Sequence, residues 1–135
     1  MTLFRSLKLA TVTLATSLIL SLSAHASNFE KIPFEKTLFD QLQSQGNTVL
    51  IDVFAPWCPT CKKQQEVIGD YFAAHPDSEI KVLVVDFDEQ PQWVKFFKAP
   101  RQSSLYLYKN GEQLWFSVAE TREQKIFSAL NSVSM

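Results

Sequence analysis

The chain is poor in the residues that tie small folds together or break them up. Its 135 residues hold only two cysteines, two histidines and three glycines. Two cysteines allow one disulfide at most. Three glycines beside eleven phenylalanines imply few irregular loops and a well-filled core. The formal net charge is −1 and no basic stretch stands out, so nothing points to a nucleic-acid partner. Repeats, linkers and low-complexity segments are missing as well. With 46% apolar and 20% charged residues, the composition suits one globular domain.

No apolar run is long enough to cross a membrane comfortably. The best candidate, Leu9 to Leu22, would span roughly 21 Å as a helix, short of the ~30 Å hydrocarbon core. Arg5 and Lys8 make its start positive, and Ala24-His25-Ala26 fits a cleavage site. Residues 1–26 are therefore expected to be a removed signal peptide. No cysteine follows the apolar run to carry a lipid. The expected domain is residues 27–135, with a charge of about −3, because the leader takes away two basic residues and no acidic one. A periplasmic or otherwise exported location follows as an expectation, and disulfides can persist there.

What the chain does have is the stretch Thr48 to Lys63, TVLIDVFAPWCPTCKK. Val49 to Phe54 reads as a strand buried on both faces. Asp52 interrupts it, and a buried acid is costly unless it has a use. Pro56 and Pro59 stop the strand, both cysteines arrive at Cys58 and Cys61, and a helical pattern follows through Val67, Ile68, Tyr71 and Phe72. The unpaired N–H groups of a first helical turn favour a thiolate at that point. Cys58, nearest the loop, is the expected exposed nucleophile of low pKa, and Cys61 the resolving thiol. A disulfide closing so small a ring would restrict the unfolded chain by only roughly 2 kcal/mol, which suits redox chemistry better than a staple.

The remaining elements are legible from pattern. Phe29 to Phe34 predicts a short strand, and Glu35 to Gln45 a helix stopped by Gly46. The cysteine helix should end before Pro76. Ile80 to Phe87 predicts a second buried strand, and Pro91 opens a short helix carrying Trp93, Val94 and Phe97. Ser104 to Tyr108 and Gln113 to Val118 alternate around Asn110-Gly111, a hairpin signal. Thr121 and Gln124 form a capping box for a last helix holding Ile126, Phe127 and Leu130.

These residues resemble the thioredoxin-like family. The match runs through Val49 to Ala55, the motif Pro56-Trp57-Cys58-Pro59-Thr60-Cys61-Lys62, Val85 to Asp88, and Leu105 to Glu112. It covers nearly everything after the first ~30 residues. The resemblance implies an α/β fold, a single-domain mixed sheet with helices on both faces. It also implies thiol–disulfide exchange through Cys58 and Cys61, with Asp52 as the proton-transfer group and Trp57 flanking the nucleophile. Disulfide- or thiol-bearing proteins would be the substrates, a membrane-embedded protein the electron donor or acceptor, and the chain a monomer. No cofactor is needed, because the dithiol carries both electrons. Pro59-Thr60 resembles the dipeptides of glutaredoxins and disulfide-forming oxidases more than the Gly-Pro of reducing thioredoxins.

Three positions depart from the family. Val84 stands where many thioredoxins have a lysine beside the buried acid. Ser103, after Gln102, stands where a cis-proline is usual, so a trans bond is expected there, and Ser103→Pro should return substrate preference to that of the family. Ala119 stands where a glycine usually follows the fifth strand. All of these residues lie at or near the expected docking surface or the acid.

Other readings stay open for the same residues. The two thiols could belong to a metal-binding or metal-delivery protein, with His75 as the one obvious third ligand, or the chain could be an adaptor that binds without turnover. Haem attachment needs a histidine where Lys62 stands. Lys62, Lys63, Gln64 and Gln65 read as a solvated helix face. Tyr106, Tyr108 and Trp115 are expected to lie under a helix rather than form a partner patch.

Overall fold

The structure is a computed structural model that describes residues 29–133. The leader expected at residues 1–26 lies outside the described residues. Nine elements follow in order: β1 (Lys31–Pro33), α1 (Lys36–Ser44), β2 (Val49–Phe54), α2 (Pro59–Ala74), β3 (Lys81–Asp86), α3 (Pro91–Phe96), β4 (Ser104–Lys109), β5 (Glu112–Val118) and α4 (Glu123–Asn131). The expected elements are all present, trimmed by one or two residues at several ends. Five strands form one sheet in the order β1-β3-β2-β4-β5. β2 lies parallel to β3 and antiparallel to β4, which makes the sheet mixed.

β2 is central because its residues leave it no other place. Val49, Leu50, Ile51 and Val53 are wholly buried, and strand alternation sends them to opposite faces. Leu50 joins Val67, Ile68, Leu105, Leu107, Ile126 and their neighbours under α2 and α4. Val49, Ile51 and Val53 join Phe34, Phe39, Phe97 and Tyr106 under α1 and α3. Truncating a residue such as Leu107 to alanine would cost about 2–5 kcal/mol. By the same alternation Asp52 shares the α2 face with Leu50. Its register neighbours are Val84 on β3 and Leu105 on β4.

Tyr106 is buried, with Phe97 at 5.7 Å between ring centroids, and Tyr108 meets Phe39 edge-on at 5.3 Å. Trp115 packs against the cluster beneath α2 and α4. Tyr106 is therefore covered, as expected, and Tyr108 and Trp115 are partly so. Their neighbours on β5 are not: Leu114, Phe116 and Val118 remain exposed at the open edge of the sheet. Asn110 and Gly111 both have positive φ, as a two-residue hairpin turn requires. Beyond it the ladder slips, Leu107 facing Trp115 and Tyr108 facing Gln113, so Leu114 is an extra residue on β5.

Helix ends follow local chemistry, with one correction. Gly46 ends α1 at φ +79, with its N–H on the Gln43 carbonyl and the Asn47 N–H on that of Leu42. The capping box expected from Thr121 and Gln124 does not form. Arg122 is the last extended residue before α4 and has no side-chain cap bond, so the helix frame starts one residue later than the box requires. Glu120 does related work instead, accepting from the Arg122 N–H at 2.9 Å and from its guanidinium.

Ala119 holds φ +56 while its N–H bonds the Ser103 carbonyl at 2.8 Å. A non-glycine residue in that region is strained by roughly 1–2 kcal/mol. Ala119→Gly should relieve more strain than it adds unfolded-state entropy, for a gain of about 1 kcal/mol. Urea unfolding should show a higher midpoint with unchanged slope. A midpoint at or below that of the parent would contradict it.

Candidate active site

The end of β2 and the start of α2 deliver the two cysteines together. The Cys58 N–H bonds back to the Ala55 carbonyl at 3.1 Å, closing the turn over Pro56 and Trp57. Pro59 takes the first helical position, where its missing N–H costs nothing. That makes Cys58 the N-cap, with its sulfur accepting the Cys61 N–H at 3.1 Å. Both cysteines are free thiols. Cys58 was expected to be exposed, yet only 2% of its surface is open, and Cys61 is wholly buried. The exposed Pro56, Trp57 and Pro59 form the rim around this small opening.

The two thiols are driven apart in acidity. Burial works against a Cys58 thiolate, but bonds from the Cys61 thiol and N–H, the Ser103 hydroxyl and the Thr60 N–H outweigh it and hold Cys58 below its ordinary value. Burial pushes Cys61 well up, joined by its bond to the Cys58 sulfur and the negative charge of Cys58 and Asp52. Such divergence is what an attacking and a resolving thiol need.

Asp52 is 1% exposed. Burial raises its carboxyl to about 6, against a lowering bond from Gln65 and the charge of Lys31. Its Oδ2 accepts from Gln65 Nε2 at 3.1 Å, while Oδ1 finds no partner among the described residues. Val84 does lie beside it, as expected, and supplies no charge.

The stretch expected to be a solvated helix face is only half so. Lys62 and Lys63 are exposed, but Gln64 is completely buried and Gln65 partly so. Gln64 Nε2 donates to the Ser103 carbonyl at 3.2 Å and to the Glu120 carbonyl at 2.9 Å, tying α2 to the loops before β4 and after β5. Their spacing held the signal: three and four residues beyond a buried Cys61, they share its helix face.

The Gln102–Ser103 bond is trans, as no cis bond occurs among the described residues. Ser103 instead takes φ +61, with its N–H on the Val53 carbonyl at 2.8 Å. This corrects the expectation for Ser103→Pro: a proline ring fixes φ near −65° and has no N–H to give. The buried Ser103 hydroxyl donates to the Gln102 carbonyl at 2.5 Å and lies 3.9 Å from the Cys58 sulfur, whose S–H can point at it. One hydroxyl proton thus has two acceptors once Cys58 ionises. Trp57 is 57% exposed, with its indole N–H held by Asp88 at 2.7 Å. Asp88 orients the rim, a role its place in a matching strand end did not reveal.

His75, the third ligand of the metal reading, caps the far end of α2, about 20 Å of helix from Cys61. There it stacks on Tyr71 at 4.2 Å and bonds that residue's carbonyl through Nδ1. It does not meet the thiols.

Known proteins match this arrangement. The profile of the family described as Thioredoxin matches residues 30–132. A thioredoxin of Rickettsia bellii is 24% identical over 98 residues, 73% of this chain and 92% of its own. Thiol:disulfide interchange protein DsbE of Haemophilus influenzae is 31% identical over 74 residues, 54% of this chain but 39% of its own. Among solved structures, Trxlp from Edwardsiella tarda EIB202 superposes with a TM-score of 0.70 at 35% identity, covering 75% of this chain and 98% of that one.

The environment of Asp52 fixes a pH dependence. Its folded pKa of about 6 lies above its ordinary 3.8. The stability carried by the neutral acid is therefore fully present below about pH 4 and is lost as pH rises through about 6. At neutral pH the ionised acid costs about 3 kcal/mol on this basis. Asp52→Asn should raise the melting temperature at pH 7, and the gain should shrink towards zero near pH 4. A lower melting temperature at pH 7, or a gain independent of pH, would count against it.

Proposed function

This chain belongs to the thioredoxin family and is a thiol–disulfide oxidoreductase, and on that footing we propose that Cys58 attacks, Cys61 resolves and Asp52 moves the proton. The observation that carries this is the opposed acidity of the two thiols at the start of α2, with a buried carboxyl of pKa about 6 on the face beneath. The Cys58 thiolate attacks one sulfur of a substrate disulfide and forms a mixed disulfide, and the first substrate thiolate leaves and takes up a proton. Cys61 then gives its proton to Asp52, and its sulfur attacks Cys58. The Cys58–Cys61 disulfide forms, the second substrate thiolate leaves, and two electrons have passed to the substrate. The reverse sequence oxidises a dithiol.

Export to the periplasm or beyond is part of this proposal. Arg5, Lys8, the apolar run and Ala24-His25-Ala26 support it. Protein substrates bearing disulfides or thiols would meet a monomer at the rim around Cys58. A membrane-embedded donor or acceptor would restore the pair, since an exported dithiol lies apart from cytosolic reductants. Intact mass of the exported protein should correspond to a chain starting at Ser27. Retention of Arg5 and Lys8 on a membrane-bound form would rule out cleavage.

Turnover separates the proposal from its competitors. With a small dithiol as donor, the protein should reduce insulin. Cys58→Ser should abolish capture of partners, whereas Cys61→Ser should leave mixed disulfides that can be isolated. Alkylation near neutral pH should label Cys58 first. Faster labelling of Cys61 would reverse the roles. Stoichiometric zinc on the reduced protein without insulin reduction would favour metal delivery, and partner binding without turnover an adaptor.

A further inference from the structure

The cation that Val84 does not provide reaches the acid from a different strand. Lys31 sits on β1, in register with Val82 of β3. Strand alternation puts it on the same face as Asp52, one row along and two strands over. Its Nζ donates to Gln65 Oε1 at 2.9 Å, and Gln65 Nε2 donates to Asp52 Oδ2 at 3.1 Å. The three groups form one chain from surface to buried carboxyl.

The chemistry of the chain admits only one orientation. An ammonium can only donate, so the end of the Gln65 amide that faces Lys31 must be its oxygen. The opposite end, facing Asp52, is then the NH2, which can only donate. A carboxylate oxygen held by that donor is the poorer place for a proton. Oδ1, with no partner among the described residues, is the better one. We propose that Lys31 and Gln65 are positioning residues for Asp52, locking the amide so that Oδ2 stays a bonded acceptor and Oδ1 receives the Cys61 proton.

The surroundings fit such a device. Lys31 and Gln65 line a groove of about 480 Å3 with Phe54, Val84, Asp86 and Glu89. Asp52 itself does not line the groove, so Lys31 and Gln65 stand between solvent and the acid. The charged and titratable groups around Asp52 are few. Cys61 faces it from α2 and Lys31 from β1, while Asp86, at the end of β3, and Glu89, just beyond it, line the groove outside. The neighbours on β3 and β4, Val84 and Leu105, carry no charge. One oxygen of Asp86 is occupied by the N–H groups of Asp88 and Glu89, and Lys31 is the one cation among the described residues lining the groove.

The proposal rests on the exchange chemistry given above, yet half of its test needs no turnover. Carbon-13 NMR of the Asp52 carboxyl in the reduced full chain reports its titration directly. Gln65→Met should move the midpoint up by about one unit, because a bond to a charged acceptor is lost. Lys31→Met should move it up by about half a unit, solvent screening reducing its effect, and Lys31→Arg should restore the parent value. The second measurement is release of a chromogenic thiol from a mixed disulfide on Cys58, which follows the resolving step. At pH 6 the rate should fall about fivefold in Gln65→Met and about twofold in Lys31→Met, in step with the smaller ionised fraction. Neither change should matter in an Asp52→Asn background. Superimposable titrations in Gln65→Met and parent would overturn the proposal, as would equal slowing with and without Asp52. Shifted titrations in a protein that never reduces insulin would instead leave the positioning intact and sink the exchange reading.

Discussion

A carboxyl group with a single hydrogen bond, buried in the middle of the central strand, sets the terms for the rest of this molecule. Burying a charge in such a place is expensive, and the core around Asp52 is otherwise apolar on both faces of the sheet. That core is large enough to hold β2 in place in spite of the acid. The acid in turn has a use only because α2 lies across it, bringing Cys61 and Gln65 over the same face. A stable fold and a destabilised residue are here parts of one arrangement, as expected where function draws on stored strain.

Much of this was legible in the sequence because local rules and tertiary demands agreed. β2, α2 and the Asn110-Gly111 hairpin each carried a pattern that no competing element could match, although α2 begins at Pro59, ahead of the periodic residues that announced it. The pairing of Cys58 with Cys61 and the burial of Asp52 needed nothing beyond period and position. What escaped was whatever depended on distant chain segments. Gln64 reads as a polar helix residue until the loops bearing Ser103 and Glu120 close over it. Lys31 is an exposed residue of β1 whose link to Asp52 through Gln65 appears only once β1 is laid beside β3. The α4 cap failed for a smaller reason: Arg122 stayed extended by one residue, and Glu120 met its N–H from outside the box.

The departures at Ser103 and Ala119 belong together. Both have positive φ, and the Ala119 N–H is bonded to the Ser103 carbonyl, which Gln64 also holds. Two strained residues clasp each other beside the Cys58 sulfur, so the wall of the opening is braced by backbone bonds rather than by a rigid ring. Strain of this kind persists only where surrounding structure over-determines it. Here the Val53 carbonyl, Gln64 and Ala119 do so from three elements.

The extra residue at Leu114 bears on the crowd of other chains in which any protein lives. β5 offers the outside world an unpaired rim with apolar side chains, the kind of template on which foreign strands can grow. A straight rim seven residues long would let a visitor register along its whole length. The slip at Leu114 turns the outer ladder partway, leaving no more than about four regular residues in a row, from Trp115 to Val118. Four residues is shorter than a typical strand, so a visitor finds a foothold there and little to hold it.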